Sequence, residues 1–388
     1  MKKNFFSKTL FYEIKKIIKH DEASLHEPMI KNDDLISIKN CLKSGYVSYH
    51  SNLVESFEKK LSSYTKSKYA IATSTGTSAL HLSYLCQGVK PNDEILMPSI
   101  NFVAAANAAI YCNAIPHFID VEENFPAIDC LKLEKYLKQN TLVRKGICIN
   151  INTKRTIRAL VFLHPFGLVG NILKIKSLCK KFNIKIIEDA AESIGSFYKG
   201  KHLGTFTEVG VLSFNGNKTI TTGGGGAILT SNKKIAEHAK FLSTTAKKNK
   251  SLNFEFDALG YNYRMPGLNA AFGISQLSKL KKILSLKRKL FKMYKIKLKR
   301  FNQIKLLCER RQEKSNYWLI SIILDKKDTL LQKEIINFFN FNKYYIRPVW
   351  MPLHKNKHLK NFPKMNLKNT NLIAKRIINL PSSPGLIS

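Results

Sequence analysis

The sequence has no CxxC pair, no apolar run of membrane-spanning length, and fewer than half as many acidic residues as basic ones, 27 against 64. Each shortage removes a class of protein. Seven cysteines are scattered singly, with Cys86, Cys112 and Cys179 inside apolar stretches. They exclude a disulfide framework or a zinc site and predict reduced thiols in a cytoplasmic protein with no metal. No segment reaches the roughly 18 apolar residues that a membrane span requires. The opening MKKNFFSKTLFYEIKKII is interrupted by Glu13, Lys15 and Lys16 and lacks a small-residue cleavage site. It therefore predicts an amphipathic helix and not a secretory leader. Internal repeats and long low-complexity linkers are also missing.

The shortage of acids leaves a formal charge of +37. Basic clusters attract phosphate backbones, so a nucleic-acid or membrane surface is one reading. The lysines, however, are spread through KLEKYLKQN, KIKSLCKKF and the C-terminal third, and only residues 279–300 form a dense run. Leucines recur there at helical spacing, and aromatics do not interleave as base stacking needs. The run reads as a solvated helix face. The expected partners are small anionic substrates, with no nucleic acid and no membrane.

At 388 residues and 44% hydrophobic composition, the chain is long enough for two domains around substantial cores. From about residue 68 to 232, short apolar runs alternate with helical ones: KYAIATS, EILMPS, PHFIDV, RALVFLHPFG, IKIIEDAA, VGVLSF and GAILTS. That alternation predicts an α/β fold with a mainly parallel sheet. Past residue 245, LGYNYRMPGLN leads into a long helix from Ala270 to about Arg300. The runs YWLISIIL and YYIRPVW follow, separated by a helix over KKDTLLQKEIINFFNF. The predicted organisation is an N-terminal helical extension (1–25), a large α/β domain (26–245) and a smaller C-terminal α+β domain (246–388).

Four segments carry chemistry. In SFNGNKTITTGGGG, residues 213–226, Lys218 lies just beyond a strand, where open α/β sheets bind ligands. A P-loop is excluded, because Asn217 and not a glycine stands directly before the lysine. A partly desolvated lysine there has the lowered pKa that a Schiff-base amine needs. In IIEDAAES, residues 186–193, a strand ends in Glu188-Asp189 with Glu192 beyond. An N-cap aspartate is the plain reading; a partner for a cofactor ring nitrogen is the functional one. In TSTGTSALHL, residues 73–82, a strand turns through Gly76, Thr77 and Ser78 into a helix, whose free N–H groups make a phosphate site. After EILMPS, Asn101 precedes Phe102, which is either a core residue or a ring that stacks on an aromatic cofactor.

In this order (phosphate turn, aromatic, acidic strand end, lysine) the segments resemble the sugar aminotransferases related to DegT, DnrJ, EryC1 and StrS, over roughly residues 26–388. The resemblance implies the aspartate-aminotransferase type of fold, with a seven-stranded sheet, and pyridoxal 5′-phosphate (PLP) as cofactor. By the same likeness Lys218 is the Schiff-base lysine and Asp189 the partner of the ring nitrogen. Glu192 falls near the phenolic oxygen, Phe102 stacks on the ring, and Gly76, Thr77, Ser78 and Ser213 bind the phosphate. Asn262 of the GxNxR segment Gly260–Arg264 reaches the cofactor of a neighbouring subunit, which implies a homodimer with shared sites. Arg264, His354 and His164, with Arg347, are the expected substrate contacts.

Asn101 stands where similar chains carry Thr or Ser, and the chain stops at INLPSSPGLIS, where they continue into a last helix. SFNGNK, TTGGGG, PHFID and VSYHSNLVESFE are similar to a branch acting in nonulosonic (legionaminic-type) acid pathways. That implies an amino group moved from L-glutamate to the C4 ketone of a nucleotide-linked 4-keto-6-deoxy sugar, for surface polysaccharide or nonulosonic acid synthesis. Three other readings stand beside it. A sugar dehydratase of the same fold would carry His in place of Lys218, and a regulatory relative would bind PLP without turnover. A basic nucleic-acid-binding protein would bind DNA with steep salt dependence and no chromophore.

Overall fold

The computed structural model describes residues 2–49, 51–247, 255–325 and 330–387. Residue 50 of VSYHSNLVESFE and residues 326–329 of KKDTLLQKEIINFFNF lie outside the described residues.

The apolar runs of the first two thirds form one seven-stranded sheet. Its strands are β1 Tyr69–Thr73, β2 Glu94–Pro98, β3 Ile115–Ile119, β4 Ile157–Leu163, β5 Lys185–Asp189, β6 Val209–Ser213 and β7 Gly226–Thr230. The order is β1-β7-β6-β5-β4-β2-β3. β7 runs antiparallel to both neighbours, and every other pair is parallel. Helices such as Gly76–Cys86 and Ile172–Phe182 intervene along the chain and cover the sheet. β2, β6 and β7 are accordingly buried at all five positions, as strands covered on both faces must be.

Asp189 pairs with Leu163 on one side and Val211 on the other, so β4 and β5 end level and β6 runs two residues further, to Ser213. Side chains alternate along a strand, so Glu188 and Asp189 face opposite ways. Glu188 is consumed structurally: it meets His164 Nε2 at 3.0 Å and accepts N–H bonds from Gly204 (2.8 Å) and Thr207 (2.7 Å). Asp189 is left for the other side.

A second, antiparallel sheet of four strands follows: β8 Ile304–Leu306, β9 Ile320–Leu324, β10 Arg347–Pro348 and β11 Ile377–Leu380, in the order β8-β9-β11-β10. The expected strand over YYIRPVW shrinks to two residues, because Pro348 offers no N–H to extend the ladder. The long helix is Gly267–Leu298, starting directly after Pro266 and earlier than Ala270. The N-terminal helix Lys2–Lys15 joins this C-terminal layer. Its Phe11 ring lies 5.3 Å from Phe339 and 5.0 Å from Tyr344, and Leu10, Ile14, Ile17 and Ile18 share that core.

The basic run at 279–300 is solvated at Lys281, Lys282, Lys289 and Lys292, but Lys287 corrects that reading. It is 0% exposed, at the spacing of Ile283, Leu290 and Tyr294 on the buried face. Its amine donates to the carbonyls of Trp318 (3.2 Å) and Ser382 (2.7 Å) and lies 2.8 Å from His26 Nε2. Among the described residues no helix is long and apolar enough to cross a membrane.

Candidate active site

At the carboxyl ends of the central strands lies a cavity of about 290 Å³, with Thr75, Gly76, Thr77, Asn101, Phe102, Asp189, Glu192, Ser213, Lys218, Trp318 and Trp350 in its wall. The turn after β1 contributes helix N–H groups. Thr75 caps the helix by accepting the Ser78 N–H at 3.0 Å, and the Ser78 hydroxyl accepts the Thr75 N–H at 3.0 Å. That reciprocal box leaves the N–H groups of Gly76 and Thr77 without an intrahelical acceptor, at the positive end of the helix dipole. The turn is pressed onto β7: a Cβ on Gly226 would sit 2.4 Å from the Thr75 carbonyl oxygen. A side chain there would lift the turn off the sheet.

Lys218 is mostly buried, with 14% of its side chain exposed. Its Nζ lies 3.9 Å from Glu192 Oε1 and 3.9 Å from the centre of the Trp318 ring. The indole is fixed in turn, its Nε1 donating to the Asn217 carbonyl at 2.7 Å. Burial lowers the proton affinity of the Lys218 amine, while the Glu192 and Asp189 carboxylates pull the other way. Burial pushes Glu192 up to about 8, against the pull of Lys218 and of the Phe166 N–H, which it accepts at 2.7 Å. Burial also raises Asp189, against an Ala191 N–H at 3.2 Å and the nearby lysine. An amine and two carboxyl groups thus share a dry site with their proton affinities drawn together, as acid–base chemistry requires.

Not every expected residue is brought here. Ser78 spends its N–H and hydroxyl on the Thr75 cap and does not line the cavity. His164 is fully buried against Glu188, on the far side of the strand parity, and does not reach it either. His354 lies beside the wall, its Nδ1 2.8 Å from the Ser99 hydroxyl, and exposed Arg347 sits in β10. Asn262 and Arg264 run along the edge beyond β1. The Arg264 guanidinium covers the Tyr49 ring at 3.1 Å, and its Nη2 lies 3.3 Å from Asn262 Oδ1. Conversely, Trp318 and Trp350 line the cavity without having been singled out. Trp350 stands in RPVWMPLH between two residues that were, and packs on Phe166 with ring centres 5.5 Å apart. Trp318 arrives from β9's approach, a long-range contact with no local signature.

A model of the DegT/DnrJ/EryC1/StrS aminotransferase family matches residues 28–388. The chain belongs to that family. Family members are PLP-dependent sugar aminotransferases, and solved structures with this fold include a PLP form and a PMP form. Among relatives, GDP-perosamine synthase of Vibrio cholerae is 30% identical over 369 residues, covering 93% of this chain and 94% of that one. The UDP-4-amino-4,6-dideoxy-N-acetyl-beta-L-altrosamine transaminase of Campylobacter jejuni is 32% identical over 299 residues, 76% of this chain and 74% of the other. In fold, the chain matches Helicobacter pylori PseC, an aminotransferase involved in pseudoaminic acid biosynthesis. The TM-score is 0.82 at 24% identity, with 93% of each chain covered.

Proposed function

We propose that this family member moves an amino group from L-glutamate to the C4 ketone of a nucleotide-linked 4-keto-6-deoxy sugar, with Lys218 as its reacting amine. The observation that carries the reading is one cavity shared by the buried Lys218 amine, the Asp189 carboxylate and two free helix N–H groups. The donor set fits PLP. The N–H groups of Gly76 and Thr77, with the hydroxyls of Thr77 and Ser213, suit its phosphate. Asp189 suits a protonated ring nitrogen, and the exposed Phe102 ring at the mouth, 56% uncovered, suits an aromatic face. The two relatives above carry nucleotide-linked sugars in their names, and one of those is a 4-amino-4,6-dideoxy sugar.

When bound, PLP supplies an aldehyde that captures amines and a ring that stores the electron pair left when a carbon loses its proton. Everything else falls to the chain. Asp189 would keep a proton on the ring nitrogen, since a buried carboxylate opposite an N–H cation favours the charged pair. Lys218 would hold the aldehyde when no substrate is present. Its freed Nζ would carry a proton between substrate carbon and cofactor, off the donor carbon in one half-reaction and onto the acceptor carbon in the other. Its depressed proton affinity keeps that nitrogen able to act as a base. Glu192, anchored by the Phe166 N–H, holds its carboxyl group 3.9 Å away and limits how far Nζ can wander. Trp318 and Trp350 wall the cavity and exclude water from it. The edge segment with Asn262 and Arg264, which does not line its own cavity, would serve the site of a second copy in a cytoplasmic homodimer.

Lys218→Ala tests the reading. The purified variant should lose the visible absorbance of lysine-linked cofactor and all transamination; a variant that keeps both would overturn it. With wild-type protein, glutamate should convert the cofactor to its amine form. A panel of UDP-, GDP- and dTDP-linked keto sugars then identifies the acceptor by the return of the aldehyde form.

A further inference from the structure

Asn101, the third residue past the end of β2, is 1% exposed and lines the cavity beside Phe102 and Asp189. Neither Oδ1 nor Nδ2 has a hydrogen-bond partner among the described residues. Gln87 and Asn371 each leave one amide atom without a partner, but among the described residues Asn101 alone leaves both. Asn316 donates to the Glu192 and Ile194 carbonyls at 2.9 Å each and accepts the Trp318 N–H at 2.9 Å. The nearest hydroxyl in sequence, Ser99, is taken by His354. A wholly orphaned amide in a cavity wall is costly unless something in the cavity completes it.

The missing partner can be typed. An asparagine amide presents donors on nitrogen and lone pairs on oxygen, so only a group offering both an acceptor and a donor satisfies both ends. A phosphate offers acceptors alone, and so do the carboxylates of the amino-acid donor, whose one N–H-bearing group, the amine, is spent at the reacting centre. A sugar hydroxyl or an acylamino N–H/C=O offers both. We propose that Asn101 is a selector for the sugar. On the proposed reading of the site, it hydrogen-bonds a hydroxyl or acylamino substituent next to the reacting carbonyl and does not touch the amino-acid donor. Threonine or serine, one hydroxyl on a shorter stem, would make a different contact, so the asparagine would narrow the choice of sugar.

Transamination divides into two half-reactions that can be followed separately by the cofactor spectrum. In Asn101→Ala the return step with nucleotide keto sugar should lose about 10- to 100-fold in kcat/KM, the factor for two neutral hydrogen bonds. The glutamate step should stay within about twofold, as expected of a residue that meets only one substrate. With wild-type protein, a sugar analogue lacking the hydroxyl or acylamino group next to the carbonyl should lose a similar factor, and the variant should not distinguish the two sugars. Using both a hydroxylated and an acylamino sugar shows which group is read. Equal losses in both half-reactions, failure of the variant to hold PLP, or an unchanged return step would each overturn the proposal. Wild-type discrimination between sugar and analogue can be measured whether or not the variant folds, and its absence overturns the proposal too. If wild-type protein completes the glutamate step but returns with no keto sugar, the sugar reading itself fails; if it returns normally and Asn101→Ala does too, only the present inference fails.

Discussion

Replacing Lys287 with methionine should change how stability depends on pH. The Lys287 amine has two carbonyls and His26 Nε2 around it and no carboxylate among these partners, and its residue is 0% exposed. Burial pulls its proton affinity well below the usual lysine range. In the unfolded chain it titrates near 10.4, so between the two values the unfolded state binds one more proton. Stability from this site therefore rises with pH across that window, by about 1.4 kcal/mol per unit. Two units, from about pH 7.5 to about 9.5, amount to about 2.7 kcal/mol. Methionine fills similar volume and does not titrate. At the lower pH it removes the cost of deprotonating the amine but leaves two carbonyls without a donor, about 1–3 kcal/mol each. The two proteins should then be nearly matched. At the higher pH the wild type should pull ahead by the full 2.7 kcal/mol, about 1 M in urea midpoint for a slope near 3 kcal/mol/M. Urea unfolding of the cofactor-free proteins, followed by tryptophan fluorescence at both pH values, reads this directly. Other titrating groups cancel in the difference. A constant gap between the two curves would mean that Lys287 is charged in the folded chain, and the reasoning about its burial would be wrong.

Other outcomes follow from the same geometry. Glu192→Gln keeps an acceptor for the Phe166 N–H but removes the carboxylate that raises Lys218's proton affinity. Uptake of PLP by the cofactor-free variant should therefore become half-maximal at lower pH than in wild type. Gly167→Ala should destabilise by about 3 kcal/mol or more, because φ is +87° and a Cβ would lie 1.8 Å from Asn316 Oδ1. Its urea midpoint should fall accordingly. Phe102→Ala should weaken PLP binding by about 2- to 12-fold, the worth of one aromatic stack, measurable by fluorescence titration.

Much of this site was legible in the sequence because β-strand parity and strand ends are local properties. IIEDAAES places Asp189 at the end of a strand, and VGVLSF followed by NGNK places Lys218 past the next. The same parity explains why His164 went elsewhere, since Glu188, one residue from Asp189, faces the opposite side and binds it. Trp318 and Trp350 were not legible, because they lie about ninety residues or more along the chain from the rest of the wall and only the packing of the second sheet brings them in. Lys287 was hidden by its neighbours: residue type in a basic run outweighed a spacing that matches the buried face. Asn101 was visible as an oddity, but its lack of partners is a property of the folded wall and not of the string.

The apolar face running from Leu10 to Ile18 shares its core with residues of the last hundred, from Leu290 in the long helix to Leu380 in β11. During synthesis that face is made first and can be covered only after nearly everything else has been made. For most of that time these side chains have no native shelter, and premature compaction of the seven-stranded sheet does nothing to provide one. A mutation that delays the formation of β11 would therefore expose the beginning of the chain, and aggregation in cells should report it before any loss at the catalytic cavity does.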